Sequence, residues 1–185
     1  MKKRGLSPVI ATVMIIMVTV AAAALIMGFV LPFITEQTES SSECFEVFPK
    51  GVEIASTAYN CFLNTSVDCE EDEPCNPRSG FSIRVNKEGV AGFKVSLTGD
   101  GESKAYTING NKSYGDLRQL NEEWNQDLKI PGSGGMKTYV ANGVYESIQV
   151  LPILEGGREC EVTDKKILSV CHDRDAIAAI HPSFN

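Results

Sequence analysis

Between Leu6 and Thr35 the chain carries thirty consecutive residues without a charge, and Lys2-Lys3-Arg4-Gly5 stands directly before them. At a rise of 1.5 Å per residue about 20 residues cross the hydrocarbon of a bilayer, so this stretch spans it with several to spare. A cleavable secretory signal has an apolar core of about 7–15 residues and ends at small residues. Ala21, Ala22, Ala23 and Ala24 supply small residues, but Leu25, Ile26, Met27, Phe29, Val30 and Leu31 continue past them, so a cut there would leave an apolar stump. All the basic residues precede the stretch, which by the positive-inside bias keeps the N-terminus in the cytoplasm and sets everything after Glu36 outside. The expectation is a single membrane helix, N-in and C-out.

Ser7-Pro8 marks where that helix starts. A serine caps the first free N–H groups, and proline at the first helical position gives up a donor that had no partner. Val, Ile, Met and Ala fill the helix, with Thr12 and Thr19 as its polar side chains before Thr35. The run Ala21–Ala24 is the place where a neighbouring helix can approach closely. Pro32 is the one breaker and is expected to kink or end the helix by clashing with the carbonyl of Gly28.

Lys-Lys-Arg-Gly-Leu-Ser-Pro-Val-Ile-Ala-Thr-Val-Met, positions 2–14, resembles the N-terminus of an archaeal type IV pilin precursor, with its class III signal peptide. The resemblance covers about the first 35 residues. It implies that a prepilin peptidase removes the basic leader, Lys2, Lys3 and Arg4, by cutting between Gly5 and Leu6 on the cytoplasmic side. Leu6 then becomes the mature N-terminus and the helix stays intact. The fifth mature residue is Ile10 and not a glutamate, a departure from the bacterial pattern that archaeal members share. The plainer reading of the same residues is an uncleaved signal anchor.

Composition changes at Glu36. The polar segment 36–43 reads as a neck, and the remaining residues, about 140 in number, suit one core and not two. The chain holds 17 basic and 24 acidic residues, a net of −7; loss of Lys2, Lys3 and Arg4 leaves 14 against 24, or −10. An acidic head excludes nucleic acid as a partner, since phosphates need Lys and Arg to neutralise them.

Cys44, Cys61, Cys69, Cys75, Cys160 and Cys171 all lie in the head, and an even number outside the membrane points to disulfides in an oxidising exterior. Six cysteines permit 15 pairings. Small loops favour Cys69 with Cys75 and Cys160 with Cys171, the latter across a hairpin around Thr163–Lys165, which leaves Cys44 with Cys61. No Cys-x-x-Cys occurs and Cys171-His172 are adjacent, so no metal site is expected.

The head reads as β-rich. Phe81–Asn86, Val90–Thr98, Ala105–Ile108, Lys137–Val140 and Tyr145–Leu154 alternate or run apolar, separated by Gly99-Asp100-Gly101, Asn109-Gly110-Asn111, Gly132–Gly135 and Asn142-Gly143. That spacing suggests an antiparallel sandwich of seven or eight strands. Leu117, Leu120, Trp124 and Leu128 fall at helical spacing and predict one short helix. The Phe81–Leu97 and Val150–Leu154 segments also resemble the immunoglobulin-like surface domains of such pilins. The expected class is therefore α+β: leader 1–5, hydrophobic helix 6–35, neck 36–43, and an all-β, immunoglobulin-like head 44–185.

No catalytic constellation emerges. His172 and His181 are the only histidines, Gly132–Gly135 lacks a nucleophile elbow, and Glu122-Glu123 reads as a solvated pair. The acidic run from Asp68 to Glu73 lacks the ordered spacing of a calcium loop. Asn64-Thr65-Ser66 and Asn111-Lys112-Ser113 are sequons beside turn residues, which makes Asn64 and Asn111 candidate glycan acceptors. The expected protein is a filament subunit and not an enzyme, without cofactor or metal. It would wait in the cytoplasmic membrane and then join identical subunits at the cell surface with the help of prepilin peptidase and assembly machinery; adhesion is what the resemblance implies. The alternatives are a membrane-anchored binding domain, a minor pilin-like component, or an archaellum filament subunit.

Overall fold

The structure, a computed structural model, describes residues 8–34, 44–45, 50–64 and 76–181. Lys2, Lys3, Arg4, Gly5, Leu6, Ser7, the neck 36–43, Cys69, Cys75 and the acidic residues between them lie outside the described residues. The chain divides into two units, Met1–Glu43 and Cys44–Asn185, and its class is α+β.

The first unit is helical. α1 runs Pro8–Leu25, a π-helical turn follows at Ile26–Val30, and helical geometry continues to Ile34. Pro32 therefore neither ends the helix nor sits in an unbroken α-ladder. The turn before it widens, with the N–H of Leu31 reaching back five residues to the carbonyl of Ile26. A π-turn inserts one residue into the ladder, which is a recognised way to relieve a helix where its regular bonds fail.

The second unit is built from two sheets. One has the order 169–170, 61–63, 78–85, 136–142, 117–119, with 52–54 also pairing 78–85, and the other the order 102–108, 90–99, 147–154, 164–167. In chain order the strands are β1 (Val52–Ile54), β2 (Cys61–Leu63), β3 (Arg78–Val85), β4 (Val90–Gly99), β5 (Glu102–Ile108), β6 (Leu117–Gln119), β7 (Met136–Asn142), β8 (Ser147–Leu154), β9 (Asp164–Ile167) and β10 (Ser169–Val170), followed by helix α2 (Arg174–Ile180). The long strands coincide with the apolar-alternating segments of the sequence. The short ones, which carry two to four residues each, do not announce themselves by periodicity.

The inward residues of both sheets form a single core. Phe81, Ile83 and Tyr139 from the first sheet and Phe93, Val95 and Val150 from the second are all fully buried in it. Tyr139 stacks on Phe81 within its own sheet (5.7 Å between centroids) and meets Phe93 of the opposite sheet edge-on at 5.9 Å. Each such side chain contributes roughly 1.5–3 kcal/mol by leaving water. Side chains close the sandwich along its sides. Tyr114 Oη donates to the Thr107 carbonyl at 3.0 Å and accepts its N–H at 2.9 Å, standing in for a strand beside β5. On the other side Asp164 Oδ2 accepts the Ile54 N–H at 2.9 Å, and Thr163 Oγ1 donates to the Val52 carbonyl at 2.8 Å.

α2 covers part of the outer face of the first sheet. Asp173 caps it by accepting the Ala176 N–H at 3.0 Å. Ile180 packs with Leu63, Val140 and the Cys61–Cys171 disulfide in a second, smaller apolar cluster.

Three expectations are corrected. The helix at 117–128 is absent: Leu117 belongs to β6, and Asn121 and Asn125 adopt left-handed φ of 65° and 64°, which a continuing helix does not permit. Its leucines also serve different clusters, Leu117 and Leu128 the main core and Leu120 the smaller one. Thr163–Lys165 is not a hairpin tip, because Thr163 bonds back to Val150 and Asp164–Ile167 forms β9 beside β8. Among the described residues the disulfides are Cys44–Cys160 and Cys61–Cys171, not Cys44–Cys61 and Cys160–Cys171. β9 carries the chain away between Cys160 and Cys171, and parallel pairing of β10 with β2 sets Ser169 beside Cys61, bringing Cys171 into reach.

Candidate functional site

α1 and its extension to Ile34 form 27 residues, within which a stretch of 18 reaches a mean hydropathy of 2.8. At 1.5 Å per residue the 27 residues make about 40 Å of helix, against about 30 Å of bilayer hydrocarbon. No side chain of α1 is buried, and Phe29 remains 72% exposed. A helix that is apolar on every side needs cover on every side. The two hydroxyls are already satisfied inside the helix, Thr12 donating to Val9 and Thr19 to Ile16, both at 2.9 Å, so neither presents an unmet polar group to a dry environment. Ala21, Ala22, Ala23 and Ala24 lie consecutively in α1. Successive residues turn by about 100° around a helix, so these four make one full turn thin and permit close approach from any side.

The head contributes covalent closure and a charged cluster. Both disulfides tie the N-terminal part of the head to its C-terminal part, across 116 and 110 residues. Cys61–Cys171 is buried; the other pair lies beside Leu154 and Val90. Above the outer face of the first sheet, Arg78 of β3 and Arg118 of β6 both donate to the carbonyl oxygen of Ile180, at 3.1 and 3.4 Å. The same guanidiniums lie over the Trp124 ring, 5.6 and 5.2 Å from its centre. Burial works against the charge on both, and for Arg78 the neighbouring Arg118 adds to this. The last turn of α2 has no basic residue of its own, so these two arginines supply the positive charge that a helix C-terminus favours. They hold the helix down.

Asp116 gathers Lys104 Nζ at 2.9 Å and Tyr106 Oη at 3.0 Å. Burial raises its pKa, but the Lys104 and Tyr106 hydrogen bonds outweigh that and hold it below the usual carboxylate range. The bond to Asp116 raises Lys104 in turn.

The other sequence candidates are scattered. Glu122 pairs with Lys129 at 3.1 Å, while Glu123 is exposed. His172 is exposed and His181 is buried at the end of α2. Gly132–Gly135 is a turn closed by the Gly135 N–H on the Gly132 carbonyl. Asn64, after β2, and Asn111, after β5, are both exposed. Among the described residues no three His, Cys, Asp or Glu side chains are grouped to hold a metal ion. Sequence reasoning missed Arg78, Arg118 and α2; Asp173 followed by Ala176, Ile177 and Ile180 is a cap-and-spacing signal that would have found the helix. Compared with known proteins, the chain matches no family model, no curated protein and no solved structure.

Proposed function

We propose that the chain is a structural subunit of an archaeal type IV pilus-like surface filament, a building block and not a catalyst, assembled through α1 with its head outward and serving adhesion. The observation that carries this reading is the 27-residue helix, apolar on all sides, with none of the side chains of α1 buried within the chain. In the membrane lipid covers it. In a filament, identical helices take the place of lipid and keep the same apolar area dry, at about 25 cal/mol per Å². The disulfides Cys44–Cys160 and Cys61–Cys171 in the head fit an oxidising exterior.

The head reads as immunoglobulin-like. Lettering β2 to β9 as A, B, C, C′, D, E, F and G turns the two sheets into A-B-E-D and C′-C-F-G, the order of that fold with its C′ strand. Tyr145, just before β8, donates from its hydroxyl to the Asn142 carbonyl at 3.2 Å, as the tyrosine corner of such domains does before strand F.

The same helix is long enough to serve as a lone anchor, so a membrane-anchored extracellular binding domain is the second reading. Sheared surface filaments, sequenced from their N-terminus, decide between them. Filaments made mainly of this chain and beginning at Leu6 support the subunit and the processing site at Gly5. Recovery of the chain only from detergent-extracted membranes supports the anchor.

A further inference from the structure

Cys44–Cys160 and Cys61–Cys171 close loops that overlap, each bond having one end inside the loop closed by the other. Separate small loops, Cys44–Cys61 and Cys160–Cys171, would leave strands β3 to β8 joined to α1 by backbone alone. The crossed arrangement does not. A backbone cut between Cys44 and Cys61 is spanned by Cys44–Cys160, and a cut between Cys160 and Cys171 by Cys61–Cys171. A cut anywhere between Cys61 and Cys160 is spanned by both. Cys69 and Cys75 fall within both loops in sequence, so they do not alter this.

The bonds sit where the chain enters and leaves the sandwich. Cys44 precedes β1, and Cys61 opens β2; each of these strands pairs with β3 over three positions. Cys171 follows β10, which pairs with β2 over two. Such short ladders open first, because few bonds hold them. The longer pairings of β3 with β7, β4 with β5 and β4 with β8 all lie inside both loops. So do the exposed Lys87 after β3 and Lys112 between β5 and β6, while Lys50 before β1 and Lys165 on β9, also exposed, lie inside one loop each.

We propose that the crossed disulfides form a covalent bypass round the sandwich, which keeps the whole head joined to α1 after any single backbone cut between Cys44 and Cys171. The inference rests on reading the head as a unit held at the cell surface by α1, which the filament subunit and the anchored domain share. A nicked sandwich without a bridge is a two-chain complex, and its parts are lost once they separate. With a bridge, the parts stay at the effective concentration of an intramolecular reaction, on the order of millimolar for a short tether, and close again. The bonds thus preserve attachment in addition to restricting the unfolded chain.

Limited trypsin digestion of the full-length chain in detergent, with free thiols blocked beforehand, tests this. No Lys or Arg lies between Arg4 and Lys50, so trypsin does not sever the neck. Wild-type chain cut once, after Lys50, Lys87, Lys112 or Lys165, should run as one species on a denaturing gel without reductant and separate completely into two fragments with it. Cys44→Ala with Cys160→Ala should lose the head only after the cut at Lys50. Cys61→Ala with Cys171→Ala should lose the C-terminal fragment only after the cut at Lys165. On intact cells the digested and washed head should stay bound until reductant is added. Wild-type fragments that part without reductant after Lys87 or Lys112 overturn the bypass, whether or not filaments form. Retention of the cut head by a chain that never leaves the membrane keeps the bypass and removes the filament.

Discussion

Ile180 occupies the space that a β-carbon on residue 80 would need: a methyl built on Gly80 would stand 2.6 Å from Ile180 Cδ1 and 2.5 Å from the carbonyl oxygen of Tyr59. Glycine in the middle of β3 is thus the seat of α2, which Arg78 and Arg118 then hold by its last carbonyl. Gly80→Ala forces the helix or the β1–β2 connection to move and should cost about 1–3 kcal/mol, as overfilling a packed site does. The check is thermal unfolding of the full chain in detergent, together with protease cleavage near α2. Unchanged Tm and unchanged cleavage would mean that α2 is not seated on Gly80.

The two disulfides make a prediction about connectivity and one about stability. Peptide mapping without reduction should recover Cys44 linked to Cys160 and Cys61 linked to Cys171. Cys61→Ala with Cys171→Ala should lower stability by about 2–5 kcal/mol, because the bond closes a loop of about 110 residues and its loss frees the unfolded chain. Recovery of Cys160 joined to Cys171 would contradict the pairing of β10 with β2.

These pairings also show where the sequence stops being informative. The apolar helix and the long strands β3, β4, β7 and β8 were legible because each follows from local hydrophobicity and turn residues. Cysteine spacing speaks only of loop length, which favours near neighbours. The actual partners are chosen by which strands lie side by side, and β10, of two residues, has no periodicity to read. Likewise the leucines of 117–128 mimic a helix because two faces of one sheet draw on them in turn. At Pro32, where a kink or an end of the helix was expected, the helix does not end, and a π-turn widens the ladder just before it. The arginine pair was invisible because Arg78 and Arg118 meet only through the neighbouring strands β3, β7 and β6.

Asp116 ties stability to pH. Its carboxylate is held below the usual range in the folded chain, so its contribution is complete above the unfolded pKa of about 3.9 and is lost as pH falls through the folded value. Lys104, raised by the same bond, contributes fully below its ordinary pKa and loses that contribution as pH rises through the raised one. Both side chains are over a third exposed or close to it, so solvent screening limits the pair to about 1 kcal/mol. Asp116→Asn should therefore lower Tm slightly at pH 7, with the difference from wild type shrinking as the pH drops below about 4. A gap that stays constant down to pH 2 would show that Asp116 acts by packing and not by charge.

The assembly role of α1 is tested most directly by enlarging its thin turn. Ala22→Leu and Ala23→Leu stay apolar, so insertion in the membrane should be unchanged. Between packed helices each added side chain overfills a close contact at roughly 1–3 kcal/mol per site, whereas lipid tails deform around it. The quantity to measure is mature subunit in membranes against subunit in sheared filaments, for wild type and both variants. The predicted result is normal membrane levels with filaments reduced or absent in the variants. Wild-type filament yield from both would contradict packing at this turn, and a wild-type chain that never leaves the membrane would contradict assembly through α1 altogether.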